Sequence, residues 1–419
     1  MINITHCRTG HNRPRAVRKR PHAAVRSWSK RACGFWIACA LIGLGSGAAA
    51  PTAAADCPVK VDDDAWRGFQ EIARRLAAGE QVSQDQLASL FAKPAYALLL
   101  ETMGQADLNP HILTRVMEHV FSAPGPQGGE RPQGRRNAPK RTDLVDCFGY
   151  AHDHADSISA LIQRFQRDEF RCRIFTLASE YIRGERLPRQ LTLSFLVAGP
   201  EIRLRDNHLL VDVGLAVASD PDQLCRILAS VLYRDLEAPS SPEPFEAATG
   251  AEALKAAFER MAYHGIAGWI EDYPNVVFDP HHPTFGKAQT WRKDTLSGAP
   301  TAFESVNKYL ALMFTDPESV EKYGRLIDEV VRGASTYDTV GYAMAALIVA
   351  RFGPERLSAV TLSAAEFLRA YQEAALIPQI IEPEEVRGDF TKALEDMPAL
   401  PAAEYGLLMN LLTTGSAWQ

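Results

Sequence analysis

The chain has 419 residues, 46% of them hydrophobic and 23% charged, with a formal charge of −6. That length admits one large domain or two or three smaller ones, and the composition excludes a disordered or fibrous protein. The acidic balance argues against a nucleic-acid partner.

The N terminus departs from this average. Nine Lys and Arg fall between Arg8 and Arg31, and no Asp or Glu occurs among the first 55 residues. The segment "FWIACALIGLGSGAAAPTAAA" follows, ending in the small residues Ala53-Ala54-Ala55. A basic stretch, a short apolar run and a small-residue site predict a secretory signal peptide over 1–55, cleaved near Ala55. The dense apolar part is about ten residues, short of the ~20 of a spanning helix, so no membrane span is expected after cleavage. The expected location is periplasmic or secreted. Cleavage leaves 364 residues with a formal charge of −15, because nine of the 45 basic residues are removed. Four cysteines remain: Cys57, Cys147, Cys172 and Cys225. In an oxidising compartment they permit two disulfides, and their spacing leaves the pairing open. No CxxC occurs.

Residues 56–121 read as a helical N-terminal region. "AWRGFQEIARRLAAG" has helical spacing and stops at Gly79, Ser83 caps the next helix, and Lys93-Pro94 divides it in two. Pro110 opens a further helix. Residues 122–141, rich in Pro, Gly and Arg, predict a flexible loop. The rest, 142–419, reads as the main domain. A long helix is expected over about 143–166, with helix resuming through "FTLASEYIRG". The period then changes: "QLTLSFLVAG" and "HLLVDVGLAVA" read as strands. "SDPDQLCRILASVLYRDLEA" returns to helix, capped by Ser219 or Asp220. "AEALKAAFERMAYHGIAGWIEDYP" is a second long helix ended by Pro274, and the remainder is helical. The predicted class is α+β, mostly helical with a small central sheet.

Four words lie on or between these elements: "LASVLYR" at 228–234, "HGIAGWIE" at 264–271, "FDPHHP" at 278–283 and "YDTVGYAMA" at 337–345. With "FAKPAYALLL" near the N terminus, they resemble an uncharacterised family of secreted zinc-dependent proteases of gluzincin type. Its members read "LAHExxH", "EGIAxWIE", "FDxxHP" and "YxxGYxMA" at those places. The resemblance implies a gluzincin, thermolysin-like core over 142–419. In such a core two His at i and i+4 share a helix face and grip one Zn²⁺. The Glu beside the first His takes a proton from the metal-bound water. A carboxylate on the next helix completes the ligands.

Carried over position by position, the first His is Ser230, the base is Val231, the second His is Arg234 and the third ligand is His264. Serine is a negligible zinc ligand, valine accepts no proton, and arginine stays cationic and repels a metal. The resemblance therefore implies a degenerate member without the HExxH motif. No zinc cofactor is expected, and the expected partner is a peptide or an envelope protein. Tyr337, at the start of its helix, is the residue the resemblance places in the cleft, where a tyrosine can bond a tetrahedral intermediate.

Plainer readings stand beside these. Ser230 and Val231 suit any buried helix, Arg234 can pair with a nearby carboxylate, and His264, Tyr337, Tyr342 and Met344 can be core residues. A displaced metal site is an alternative, built from His264, Asp279, His281 and His282, with zinc as cofactor. His152-Asp153-His154 with Asp156 offers other ligands, but His at i and i+2 of a helix point apart. No G-x-S-x-G elbow occurs, which argues against a serine hydrolase. Three functions remain in competition: a pseudo-peptidase, an active metallohydrolase with displaced ligands, and a structural or interaction protein of the envelope.

Overall fold

The computed structural model describes residues 57–103, 108–121, 142–199, 202–241, 244–283, 295–327, 336–378 and 391–417. The expected signal peptide and the loop at 122–141 lie outside the described residues. From Cys57 onward the chain folds as one compact unit.

It opens with strand β1 (Val59–Asp62), followed by α1 (Asp64–Ala77), α2 (Gln84–Phe91), α3 (Pro94–Met103) and α4 (Pro110–Phe121). Ser83 caps α2 in a full capping box with Gln86, and α3 starts at Pro94 as the Lys93-Pro94 break predicts. The strand β1 is an addition to the helices expected here. Three helices come next, α5 (Thr142–Asp153), α6 (Ala155–Phe165) and α7 (Asp168–Ser179). The single helix predicted over 143–166 is thus two, parted at His154, whose backbone leaves helical geometry.

The sheet is completed by β2 (Leu191–Leu196), β3 (Ile202–Arg205) and β4 (His208–Asp212), in the order β1-β2-β4-β3. β1 and β4 both run parallel to β2, and β3 pairs antiparallel with β4. Asp206 and Asn207 join the hairpin with φ of 47° and 63°, the left-handed pair that suits a two-residue turn between twisted strands. Five of the six residues of β2 are buried, as expected of a strand covered on both faces. The strand predicted for "HLLVDVGLAVA" stops at Asp212. That carboxylate accepts from Leu215 N at 2.9 Å and caps a short helix, α8 (Val213–Val217), while its other oxygen accepts from Ala198 N at 2.9 Å.

The rest is helical: α9 (Pro221–Leu236), α10 (Gly250–Glu271), α11 (Ala299–Met313), α12 (Pro317–Gly324), α13 (Thr336–Phe352), α14 (Pro354–Ala359), α15 (Ala364–Ala375), α16 (Thr391–Glu395) and α17 (Ala402–Thr414). Asp220 caps α9. The stop of α10 is Asp272, in left-handed conformation at φ 60°, two residues ahead of Pro274. The described chain is therefore α+β, mostly helical with a four-stranded mixed sheet.

α10 lies between α9 and α13. A Cβ on Gly265 of α10 would fall 2.2 Å from the Gly341 carbonyl oxygen of α13, so the two backbones touch where both residues are glycine. This close crossing, together with the α9–α10 contact, places the family-like words of three helices around one point. Among the described residues no helix is long and apolar enough to cross a membrane.

Candidate functional site

α9 and α10 run antiparallel. The Ser230 hydroxyl donates to the Ala267 carbonyl at 2.9 Å, and the Tyr263 hydroxyl donates to the Arg234 carbonyl at 2.5 Å. As the number rises on one helix it falls on the other. Side chains lean toward the N terminus of their own helix. Arg234 and Glu271 therefore reach back over the Ser230–Ala267 contact and meet, with Arg234 Nη2 at 3.2 Å from Glu271 Oε2. Their side chains are 11% and 3% exposed.

His264 sits beside Tyr263 on α10 and its Nδ1 is 2.9 Å from Asp338 Oδ1 in the first turn of α13. The Tyr337 ring lies alongside the His264 ring, centroids 5.8 Å apart. Burial pulls the Arg234 pKa down, but the carboxylates of Glu271 and Asp338 outweigh it and hold it above its ordinary value. The guanidinium is a permanent cation here.

Ser230, Arg234, His264 and Tyr337 are brought into one neighbourhood. Val231 is buried beside them. Tyr342 is fully buried against Trp269 and Tyr273 and belongs to the core. The displaced metal set is not assembled. Ser219, at the start of α9, bridges to Phe278, whereas His264 neighbours Arg234 near the end of that helix. The helix between them spans about 20 Å, which separates His264 from Asp279, His281 and His282. His152 and His154 also diverge: His152 packs on Phe121, and His154 stacks on Tyr150.

Asp279 and His282 instead meet α5. The Tyr150 hydroxyl donates to Asp279 Oδ2 at 2.7 Å, and the His282 ring lies edge-on to Tyr150. The backbone N–H of His281 and the Tyr150 hydroxyl hold Asp279 below the usual carboxylate range. Burial pushes His282 down to about 4.

The residues sequence reasoning missed are Glu271, Asp338 and Tyr263. Glu271 was within reach of a reading by period: it lies seven residues after His264, two turns on, on the same face of α10. Asp338 lies inside the segment "YDTVGYAMA", but only the packing of α13 shows that it faces His264.

At the four positions that the resemblance singles out, 230, 231, 234 and 264, stand a hydroxyl already bonded to a carbonyl, an alkyl chain, a guanidinium and an imidazole engaged by a carboxylate. These do not fit a zinc ion, which takes His, Cys or carboxylate ligands. Among the described residues no group of three or more His, Cys, Asp or Glu is arranged to hold a metal.

A cavity of about 300 Å³ opens nearby, between the end of α9, the middle of α10 and the start of α15. Arg183, Arg186, Glu237, Lys255, Tyr263 and Ser363 are among its walls; Ser230, Arg234 and His264 are not. Cys57 and Cys172 form a disulfide that ties the start of β1 to α7, while Cys147 and Cys225 are buried thiols.

No curated protein and no solved structure matches the chain. A family model does, over residues 87–376, which include every helix of this site. The chain belongs to the family described as "Putative zinc dependent peptidase (DUF5700)".

Proposed function

We propose that this protein is an exported, degenerate member of its family that does not hydrolyse peptides through zinc at the inherited position. It uses the gluzincin-like scaffold to bind a peptide or an envelope partner. One observation carries the reading: at the place of the second His stands Arg234, buried and paired with Glu271. A guanidinium cannot generate hydroxide from water at neutral pH as zinc does. Val231, in the place of the general base, has no atom to accept a proton.

Export is supported by the basic and apolar leader and by the Cys57–Cys172 disulfide, a bond that persists in oxidising compartments. The cavity beside Tyr263, with charged and aromatic walls, is the place where such a ligand would be sought.

The test is hydrolysis of an unbiased peptide library by the purified mature chain, with and without added zinc and chelator. The expected result is no cleavage in any arm, with retention of some peptides on the immobilised protein. Chelator-sensitive cleavage would overturn the reading. N-terminal sequencing of protein recovered outside the cytoplasm tests export, with a start near Asp56 expected.

A further inference from the structure

Arg183 and Arg186, between α7 and β2, converge on one carboxylate. Arg183 Nη2 donates to Glu237 Oε2 at 3.1 Å, and Arg186 Nη1 donates to the same oxygen at 2.9 Å. The Arg183 backbone N–H takes Glu237 Oε1 at 3.1 Å, and Arg186 Nη1 also reaches the Leu236 carbonyl at 2.8 Å. The Glu237 side chain, just past the end of α9, is 6% exposed, whereas the two arginines are 36% and 40% exposed. The carboxylate is used up and the guanidiniums are not. Among the described residues their bonds run through those two nitrogens alone, and a guanidinium carries five N–H donors. Two cations on one carboxylate also repel each other, and a second anion beside them would relieve this.

All three groups are walls of the cavity of about 300 Å³. α10 adds Lys255 and Glu259, 4.0 Å apart. The walls therefore carry an excess of one positive charge, in a chain whose formal charge is −6. They also carry apolar surface. Leu362, just before α15, is 58% exposed, and Leu412 of α17 lies in the same wall.

We infer that this cavity binds a carboxylate carried on an apolar body: the C-terminal residue of a peptide, or a free acylated amino acid. Arg183 and Arg186 take the carboxylate, and Leu362 and Leu412 meet the apolar part. The inference rests on the reading that this chain binds peptides, and names the end by which it holds them. Ser230, Arg234 and His264 are not among the walls, so it does not turn on a metal at those positions. The charge selects the anion. One excess positive charge matches a carboxylate, while a phosphate dianion would overshoot it and face Glu237 and Glu259. The volume selects the size. At about 30 Å³ per water the cavity holds roughly ten, the bulk of one acylated residue rather than of a long segment.

The experiment uses the full mature chain and a fluorescein-labelled pentapeptide ending in leucine, prepared as the free acid and as the C-terminal amide. Anisotropy gives both affinities, and calorimetry gives the affinity of N-acetyl-leucine alone. The free acid is expected to bind about tenfold more tightly than the amide. N-acetyl-leucine should displace it, and inorganic phosphate at the same concentration should not. Arg186→Gln leaves Glu237 with Arg183 as a one-to-one pair. It should weaken the free acid about tenfold and leave the amide unchanged. Leu362→Ser changes an exposed side chain, and keeps the test decisive if Arg186→Gln fails to fold. It should weaken both ligands roughly threefold. Equal binding of acid and amide, equal displacement by phosphate, or full affinity in the folded variants would overturn the inference while leaving peptide binding in place. Binding of N-acetyl-leucine without any binding of the pentapeptide would support the site and overturn the peptide reading. No binding of either would overturn both.

Discussion

Arg234 and Glu271 meet at 3.2 Å across the α9–α10 interface, each side chain leaning back along its own helix over the Ser230–Ala267 bond. Removing one partner strands a buried charge, at a cost of about 3–5 kcal/mol. Replacing both with apolar groups of similar size is often neutral or stabilising. Glu271→Leu should therefore cost several kcal/mol, and Arg234→Met with Glu271→Leu should recover most of it. Urea unfolding of the single and double variants measures this. Equal losses in both would show that the pair does not act as a unit.

The crossing of α10 and α13 depends on Gly265 and Gly341. A Cβ on Gly265 would stand 2.2 Å from the Gly341 oxygen, so the helices must separate to admit Gly265→Ala. Overpacking of this kind costs about 1–3 kcal/mol or more, and it would also part His264 from Asp338. Gly406 of α17 is the control, since a Cβ there meets nothing within 4 Å. Gly406→Ala should gain about 0.5–1 kcal/mol. Thermal melts of the two variants should move in opposite directions.

The helices of this fold were legible from residue spacing, caps and breaks. Ser83, Pro94, Pro110 and Asp220 each sit where the sequence places them. What local pattern left out was decided by long-range pairing. The strand β1 is only four residues, "VKVD", and has no signal of its own; it exists because Leu191–Ser194 lies beside it. "VGLAV" is as apolar as the strand before it, and turns helical because Asp212 caps it. The site was half legible. The resemblance identified Ser230, Arg234 and His264, but their partners Ala267, Glu271 and Asp338 follow from helix packing. Asp279 and His282 of the loop join Tyr150 of α5, a contact between residues more than a hundred positions apart in sequence.

Two buried groups give opposite pH dependences. His282 titrates near 6.5 when unfolded and about 4 when folded, because burial disfavours its charged form more than Asp279 favours it. Between those values the unfolded chain binds the extra proton, so this contribution is complete above pH 6.5 and is lost as the pH falls. Asp212 titrates near 3.8 unfolded and about 6 folded, again through burial. There the folded chain binds the extra proton, so its contribution favours folding at low pH and fades as the pH rises through 6. The two oppose each other over most of the same window. His282→Gln should leave Asp212 unopposed, so that stability falls with rising pH by up to about 1.4 kcal/mol per unit relative to the natural protein. Urea unfolding across the window checks this, and superimposable profiles would contradict it.

The disulfide should contribute to stability through its long loop. Cys57 and Cys172 are 115 residues apart, and joining such distant points stabilises by about 2–5 kcal/mol. Replacing both with serine should lower the unfolding free energy by that amount. Cys147 and Cys225 are buried, and burial pushes the Cys225 thiol up to about 12. Alkylation followed by mass spectrometry should leave both unmodified in the native oxidised protein and modify both in urea. Rapid labelling of either in the native state would contradict the packing around α5 and α9.

On the proposed reading, a guanidinium stands where the family's second zinc-binding histidine would be. It is tested most directly by the metal content of the mature protein, exported by its own leader and purified without chelator. Mass spectrometry of the intact complex under native conditions gives the stoichiometry. The expected result is no zinc bound at unit stoichiometry, and a mass unchanged by later exposure to a chelator. One zinc per chain, removed together with peptidase activity by the chelator and absent from His264→Ala, would contradict it.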